Sequence, residues 1–395
     1  MNKPLFQTVK PNGFTVWRGK SEEKRMKKTL SLLLCAVLCG VLLCGCAEKP
    51  QTETSAVVSV DSEVSVDPGP GRYEETYYDL FDTECTFIAF TESETEFHEI
   101  SDKLHEYLLT YHKLYDIYND YEGLNNMRAL NMAAGTEPMI VDGKILDLLE
   151  LGKQAYEVSG GKVNIAYGTV LSQWHTMQRV ADEDNVYVLP NEDTLKECAT
   201  HTNINDVVID RENSTAFIKD AATKLNVGAI GKGYAAQKGC EYAKALGISS
   251  GALNMGGNVC TIGVKQDDGA KWSVGIADPD GNGYIEAVEV ADKCVVTSGD
   301  YERYFEVEGE RYCHLIDPAT NYPARTFRST TVIGSDAGLC DALSTALFLL
   351  PLDEGKQLIE NTDGVEAFWI LADGSTAQSS GFAALAVNKN DASGE

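Results

Sequence analysis

Apolar side chains at Phe97, Ile100, Leu104, Leu108, Tyr111, Leu114 and Tyr115 recur every three or four positions. That is the spacing of a helix with one buried face, and it predicts a helix over residues 95–118. The same rhythm runs through 145–158, where Gly160-Gly161 supplies a stop. A glycine-opened helix is expected over 231–246, and two shorter ones over 339–350 and 355–361. Between them the pattern shortens to β-branched and aromatic runs that read as strands. These lie at 83–90, 186–189, 207–209, 215–218, 225–227, 259–264, 272–276, 285–290, 294–297, 301–307, 330–333 and 367–370. Strands bunched among separate helices, without one-for-one alternation, predict an α+β fold with mixed or antiparallel sheets.

The N-terminal part departs from that pattern. Met26-Lys27-Lys28 precedes an apolar run over 30–43, which Leu43-Cys44-Gly45-Cys46 closes. A basic start, a short apolar stretch and a small residue before a cysteine make an export signal of the bacterial lipoprotein type. The run is shorter than the ~20 residues a membrane span needs. Residues 1–45 are therefore expected to be removed, with 1–25 lying upstream of a better start at Met26. Cys46 would take the lipid, and 46–72 would be a flexible tether rich in Ser, Thr, Pro and Gly. The folded body is expected over 73–388 as one unit, followed by a polar tail at 389–395. This places the protein at the cell membrane, lipid-anchored on the extracytoplasmic face.

With 43% apolar and 24% charged residues among 395, the chain has the make-up of a globular protein. Its 60 acidic and 33 basic residues give a net charge of −27. Losing residues 1–45 removes eight basic and two acidic residues, so the charge deepens to −33. Such a surface excludes a nucleic-acid partner, whose phosphates need Lys and Arg. Any small anion must be held locally, by a metal ion, backbone amides or a single lysine. Of 11 cysteines, seven lie beyond Cys46: Cys85, Cys198, Cys240, Cys260, Cys294, Cys313 and Cys340. Scattered, odd in number and without CxxC spacing, they support neither a disulfide scaffold nor a zinc site.

Neither a Walker-type phosphate loop nor a dinucleotide GxGxxG after a strand occurs. Gly228-Ala229-Ile230-Gly231-Lys232-Gly233 suits a phosphate at a helix start, and equally suits a tight turn with a solvated lysine. Asn254-Met255-Gly256-Gly257-Asn258 can aim backbone amides at a ligand, although a β-turn also accounts for it. His314 lies near Asp317 and Asp300, which suits proton transfer. Asp341 and Thr345 stand four apart, on one helical face. They could hold a hard cation such as Mg²⁺, or be an N-cap with a back-bonded threonine. Asp278, Asp280, Asn282, Gly283, Glu286 and Glu289 match a calcium loop, but β-like flanks favour a hairpin turn. His98, His105 and His112, seven apart, read as a solvated helix face.

Together these pieces resemble the FAD:protein FMN transferases of the ApbE type. The carriers are Phe81-Asp82-Thr83, Val163-Asn164-Ile165-Ala166 with Gly168 and Trp174, the 228–235 glycine run, Asn254-Met255-Gly256-Gly257-Asn258, Thr297-Ser298-Gly299-Asp300-Tyr301, His314-Leu315-Ile316-Asp317-Pro318, and Asp341-Ala342-Leu343-Ser344-Thr345. They span about 76–388 in the family's order. The resemblance implies a T-fold-like α+β architecture and transfer of the FMN moiety of FAD to a Ser or Thr hydroxyl of an acceptor flavoprotein, releasing AMP. The acceptor would belong to a membrane electron-transfer system. It implies Mg²⁺ on the Ala229 carbonyl, Asp341 and Thr345. FAD contacts would fall on Phe81, Lys162, Val163, Asn164, Asn226, Lys232, Gly256, Gly257, Leu315 and Ser344. His314 is the candidate base, oriented by Asp317 or Asp300, and Lys232 would neutralise developing charge. Asn164 and Asn226 depart from the family, whose members often carry Asp there. The alternatives are an FAD pyrophosphatase and a non-catalytic flavin- or calcium-binding surface lipoprotein.

Overall fold

In the computed structural model, which describes residues 70–281 and 283–387, strands from both ends of that span meet in one sheet. Its strands are β1 (Gly71–Leu80), β2 (Thr83–Thr91), β3 (Gly251–Met255), β4 (Asn258–Ile262), β5 (Cys294–Gly299), β6 (Phe327–Gly334), β7 (Glu366–Leu371) and β8 (Thr376–Gln378). Spatial order equals chain order and every pairing is antiparallel. The other elements are inserted between neighbouring strands, except the short helix Phe382–Ala384 after β8, and the fold is α+β. Strand β1 takes in Gly71 and Arg72, two residues that the sequence pattern assigns to the tether. The export signal, Cys46 and the polar tail from 389 lie outside the described residues.

Helices α1 (Glu94–Tyr115), α2 (Gly143–Val158), α3 (Gly168–Asp184), α4 (Gly231–Ala245) and α5 (Ala337–Leu349) are the described helices of 13 residues or more. Helix α1 packs on β1 and β2, α4 on β3 and β4, and α5 on β5 and β6, with α4 against α5. The opposite sheet face is covered by the hairpin Trp272–Ala277/Tyr284–Val290 and by Phe382. Strand alternation sorts the two layers: Cys294 and Val296 face the helices, and Val295 faces the hairpin. On β7, Ala367 and Trp369 join the helix side while Phe368 and Ile370 join the hairpin side. Double coverage is why these strands read as unbroken apolar runs. Each fully buried large side chain contributes ~1.5–3 kcal/mol.

Several expectations are corrected. Residues 186–189 form no strand: Val186, Tyr187 and Val188 are exposed and no neighbouring strand pairs with them. β-branched residues favour a strand only when a partner ladder exists. Residues 225–227 form no strand, and only the neighbouring Lys224 makes a single bridge, to Tyr167. The run over 301–307 shortens to Tyr304–Val307. Helix α3 and the helix Glu192–Ala199 have no counterpart in the sequence reading. They close a smaller core around Tyr167, Trp174, Leu195 and Phe305. Of the calcium-loop match, Asp278, Asp280 and Gly283 lie in the turn of the Trp272–Ala277/Tyr284–Val290 hairpin, and Glu286 and Glu289 lie on its second strand. There Asp278 accepts from the Asp280 amide and Asp280 pairs with Arg328 at 3.0 Å.

Candidate functional site

The sharpest local constraint is the β1–β2 turn. Leu80 pairs with Thr83, so Phe81 and Asp82 form a two-residue loop, both at φ +52°. A primed turn matches strand twist, but a bulky aromatic in left-handed backbone is strained. The Phe81 N–H donates to His112 Nδ1 at 3.0 Å, and the rings meet edge-on at 5.6 Å. His112 is therefore taken out of the solvated stripe. His105 lies 2.9 Å from Asp79, and the exposed His98 lies 3.5 Å from Glu75, so neither is a bare solvated side chain. Strain that the surroundings hold in place is characteristic of ligand-binding surfaces.

Phe81 and His112 open onto a cavity of about 500 Å³, within the usual range for small-molecule sites. One wall is the 162–167 segment, and another is the glycine-rich entry to α4 with Ala229 and Lys232. Gly256, the ends of β5 (Thr297, Ser298), Glu302, Arg303, His314 and Leu315 add a third, and Asp341 and Thr345 of α5 form the floor. Twelve of the residues given a catalytic, FAD-binding or metal role from the sequence line it: Phe81, Lys162, Val163, Asn164, Asn226, Ala229, Lys232, Gly256, His314, Leu315, Asp341 and Thr345.

Three others stand one layer behind. Ser344 is fully buried and bonds the cavity-lining Ser298 hydroxyl at 2.7 Å. Gly257 holds the β3–β4 turn through its N–H to Asn254 Oδ1. Asp317 accepts from Lys162 Nζ at 2.8 Å. It does not touch His314, so its expected role as orienter is corrected. Asp300 is likewise occupied elsewhere, by Arg328 at 3.1 Å. What orients His314 is backbone: its Nδ1 lies 3.3 Å from the Arg303 carbonyl. Since a carbonyl only accepts, Nδ1 carries the proton and Nε2 keeps a lone pair.

Charge sharpens this. Asp341 is 5% exposed. Its Oδ2 accepts from the Gly233 N–H at 2.8 Å, and Oδ1 takes no hydrogen bond among the described residues. Burial raises its pKa, opposed by Lys232 and that N–H. Lys232 Nζ is steadied 3.3 Å from the Gly256 carbonyl. Burial, helped by Arg303 and Lys232, drives the His314 pKa well below its ordinary value. Burial and Arg303 lower that of His175 to about 4. Both imidazoles are neutral at neutral pH. Arg303 has no ion-pair partner among the described residues.

Sequence reasoning missed Tyr118, His175, Glu302 and Arg303 in this wall. His175 follows the quoted Trp174, and Arg303 lies two residues after the Thr297–Tyr301 motif, but no spacing marks either.

Gly233 explains why α4 and α5 can meet here. A Cβ at Gly233 would lie 2.3 Å from the Ala337 carbonyl and 2.6 Å from Asp341 Cβ. Gly233→Ala is expected to cost about 1–3 kcal/mol in thermal unfolding. It should also push Asp341 from its place.

The ApbE family model matches residues 81–369, which includes the whole cavity. The chain belongs to the ApbE family. The FAD:protein FMN transferase of Treponema pallidum is 35% identical over 271 residues, covering 65% of this chain and 73% of that protein. The Klebsiella pneumoniae FAD:protein FMN transferase is 29% identical over 244 residues, covering 61% and 73%. The ApbE protein of Thermotoga maritima superposes with a TM-score of 0.72 at 25% identity, over 80% of this chain and all of that one. The flavin transferase ApbE of Vibrio cholerae, at 20% identity, shares the fold with a TM-score of 0.68 over 80% of this chain and 99% of that one. The antiparallel sheet with its helix layer is thus the ApbE architecture.

Proposed function

We propose that this chain is an FAD:protein FMN transferase that moves the FMN moiety of FAD onto a Ser or Thr hydroxyl of an acceptor flavoprotein and releases AMP. The observation that carries this reading is the convergence of Lys232, Asp341 and His314 on one cavity in a chain matched by the ApbE model. The cavity brings Lys232 and Arg303 to one lining inside a strongly acidic protein, and a cation beside Asp341 would add to the positive charge that an anionic dinucleotide requires.

Lys232 and Arg303 would bind the FAD pyrophosphate, Phe81 would pack on an aromatic ring, and the buried walls would exclude water. The acceptor hydroxyl would give its proton to His314 Nε2 as its oxygen bonds the FMN-side phosphorus. The bond from that phosphorus to the bridging oxygen then breaks, and AMP leaves with the bridging oxygen. FMN remains in phosphodiester linkage.

The residues fit a hard divalent cation. Asp341 offers a carboxylate oxygen, Oδ1, that takes no hydrogen bond among the described residues, and Thr345 and Ala229 line the same cavity. Mg²⁺ bound there would offset phosphate charge and make the phosphorus more electrophilic.

We also place the protein at the cell membrane, held by a lipid on Cys46 and facing an acceptor of a membrane electron-transfer system. The support is the signal pattern at 26–46.

Incubation with FAD and Mg²⁺, with and without an acceptor, tests the function. In-gel flavin fluorescence on the acceptor, dependent on FAD and matched by AMP, is the expected result. AMP without labelling would mean hydrolysis, and unchanged FAD would mean a binder; either overturns the proposal.

A further inference from the structure

Four of the seven cysteines lie in the core between the helix layer and the sheet: Cys240 on α4, Cys340 on α5, Cys260 on β4 and Cys294 on β5. Two of them face each other. Cys260 of β4 and Cys294 of β5 are opposite partners in the ladder, and their sulfurs are 2.8 Å apart. The neighbouring bonds run from Thr261 N–H to the Lys293 carbonyl and from Thr297 N–H to the Gly257 carbonyl. In an antiparallel ladder these positions alternate, which makes Cys260 and Cys294 a non-hydrogen-bonded pair. Such pairs have Cα atoms about 4.5 Å apart and side chains drawn together, inside the ~4.4–6.8 Å that a disulfide spans. No backbone rearrangement is needed to join them. Cys240 instead directs its thiol to the Cys260 carbonyl, at 3.7 Å.

We propose that Cys260 and Cys294 form a cross-strand disulfide when the chain folds in the presence of a disulfide oxidant. The exchange balances as two thiols plus one small-molecule disulfide giving the protein disulfide plus two small-molecule thiols. Cys260 is 1% exposed and Cys294 5%, so the bond forms before α4 and α5 close over the β4–β5 pair. Burial holds the Cys260 thiol far from ionisation in the folded state, which makes late attack slow. The bridge closes a loop of about 35 residues. It also ties β4, which Gly256 precedes, to β5, whose Thr297 and Ser298 lie beside it at the same end of the pair, two stretches of the cavity wall.

The test is oxidative refolding. The reduced, denatured chain is refolded in a mixture of oxidised and reduced glutathione, then its remaining thiols are alkylated. Peptide mass mapping is expected to find a Cys260–Cys294 cross-link lighter by two hydrogens, with Cys85, Cys198, Cys240, Cys313 and Cys340 alkylated. The oxidised protein should melt about 5–10 °C above the reduced one. That difference should vanish in Cys294→Ser and persist in Cys340→Ser. Both thiols alkylated after refolding, or a dominant Cys240–Cys260 or Cys294–Cys340 link, would overturn the proposal. The wild-type map decides this even where a variant folds poorly.

Discussion

Asp341→Asn is expected to lower FMN transfer by about 10²–10³-fold, as loss of one essential charge-stabilising group does in other enzymes. The same variant should melt at the wild-type temperature or above it. Asp341 is buried and its carboxyl is pushed upward by that burial, with Lys232 and the Gly233 N–H offsetting only part of the cost. A group held charged against its environment destabilises the fold at neutral pH, and a neutral isostere removes that term. Asparagine keeps an acceptor oxygen for Gly233. The two readouts therefore move apart, which separates a ligand-holding role from a structural one. Transfer at the wild-type rate in saturating Mg²⁺ would refute the assignment. So would a variant that lost activity only because it unfolds.

His314→Asn should cost about 10²–10⁴-fold in kcat/KM, the usual worth of a positioned general base. Asparagine preserves a donor for the Arg303 carbonyl while removing the basic nitrogen. The pH dependence gives an independent check. Because the His314 pKa is well below its ordinary value, its basic form persists as the solution is acidified. The acid limb of wild-type kcat/KM should then fall below pH 6.5, and His314→Asn should lose that limb. Stability follows the same sign. Below about pH 6.5 the unfolded chain takes up protons that folded His314 and His175 refuse, so unfolding becomes easier as pH falls. Part of that acid sensitivity should disappear in His314→Asn. An unchanged profile would move the base role elsewhere in the cavity.

The helix cores were legible because their signal is local. Phe97 through Tyr115 declares one buried face, and the structure buries that face on β1 and β2. The central strands were legible as apolar runs, but not their order, since nothing within a strand names its neighbour. The 186–189 run shows the limit: with the composition of a strand and no partner, it stays exposed. At the site, Asp341, Thr345 and Lys232 were picked from motifs and do converge. The partners of His314 were misread because proximity in sequence was taken for contact. Asp317, three residues on, points its charge at Lys162, 155 positions earlier. The residue that meets the imidazole does so through its backbone oxygen, an atom every residue has.

Sequence by itself determined the periodic elements, the acidic surface, the order of the family motifs and the residue types able to hold an anion and a hard cation. Those are properties of composition and near-neighbour spacing. Tertiary structure alone decided that Phe81 is held strained over His112 and that Arg303 enters the wall. It alone decided that Ser344, Gly257 and Asp317 support the cavity from behind, and that two cysteines 34 positions apart face each other. Each of these depends on the register between strands that lie far apart in the chain. Packing of both sheet faces sets that register, and no short stretch of sequence contains it.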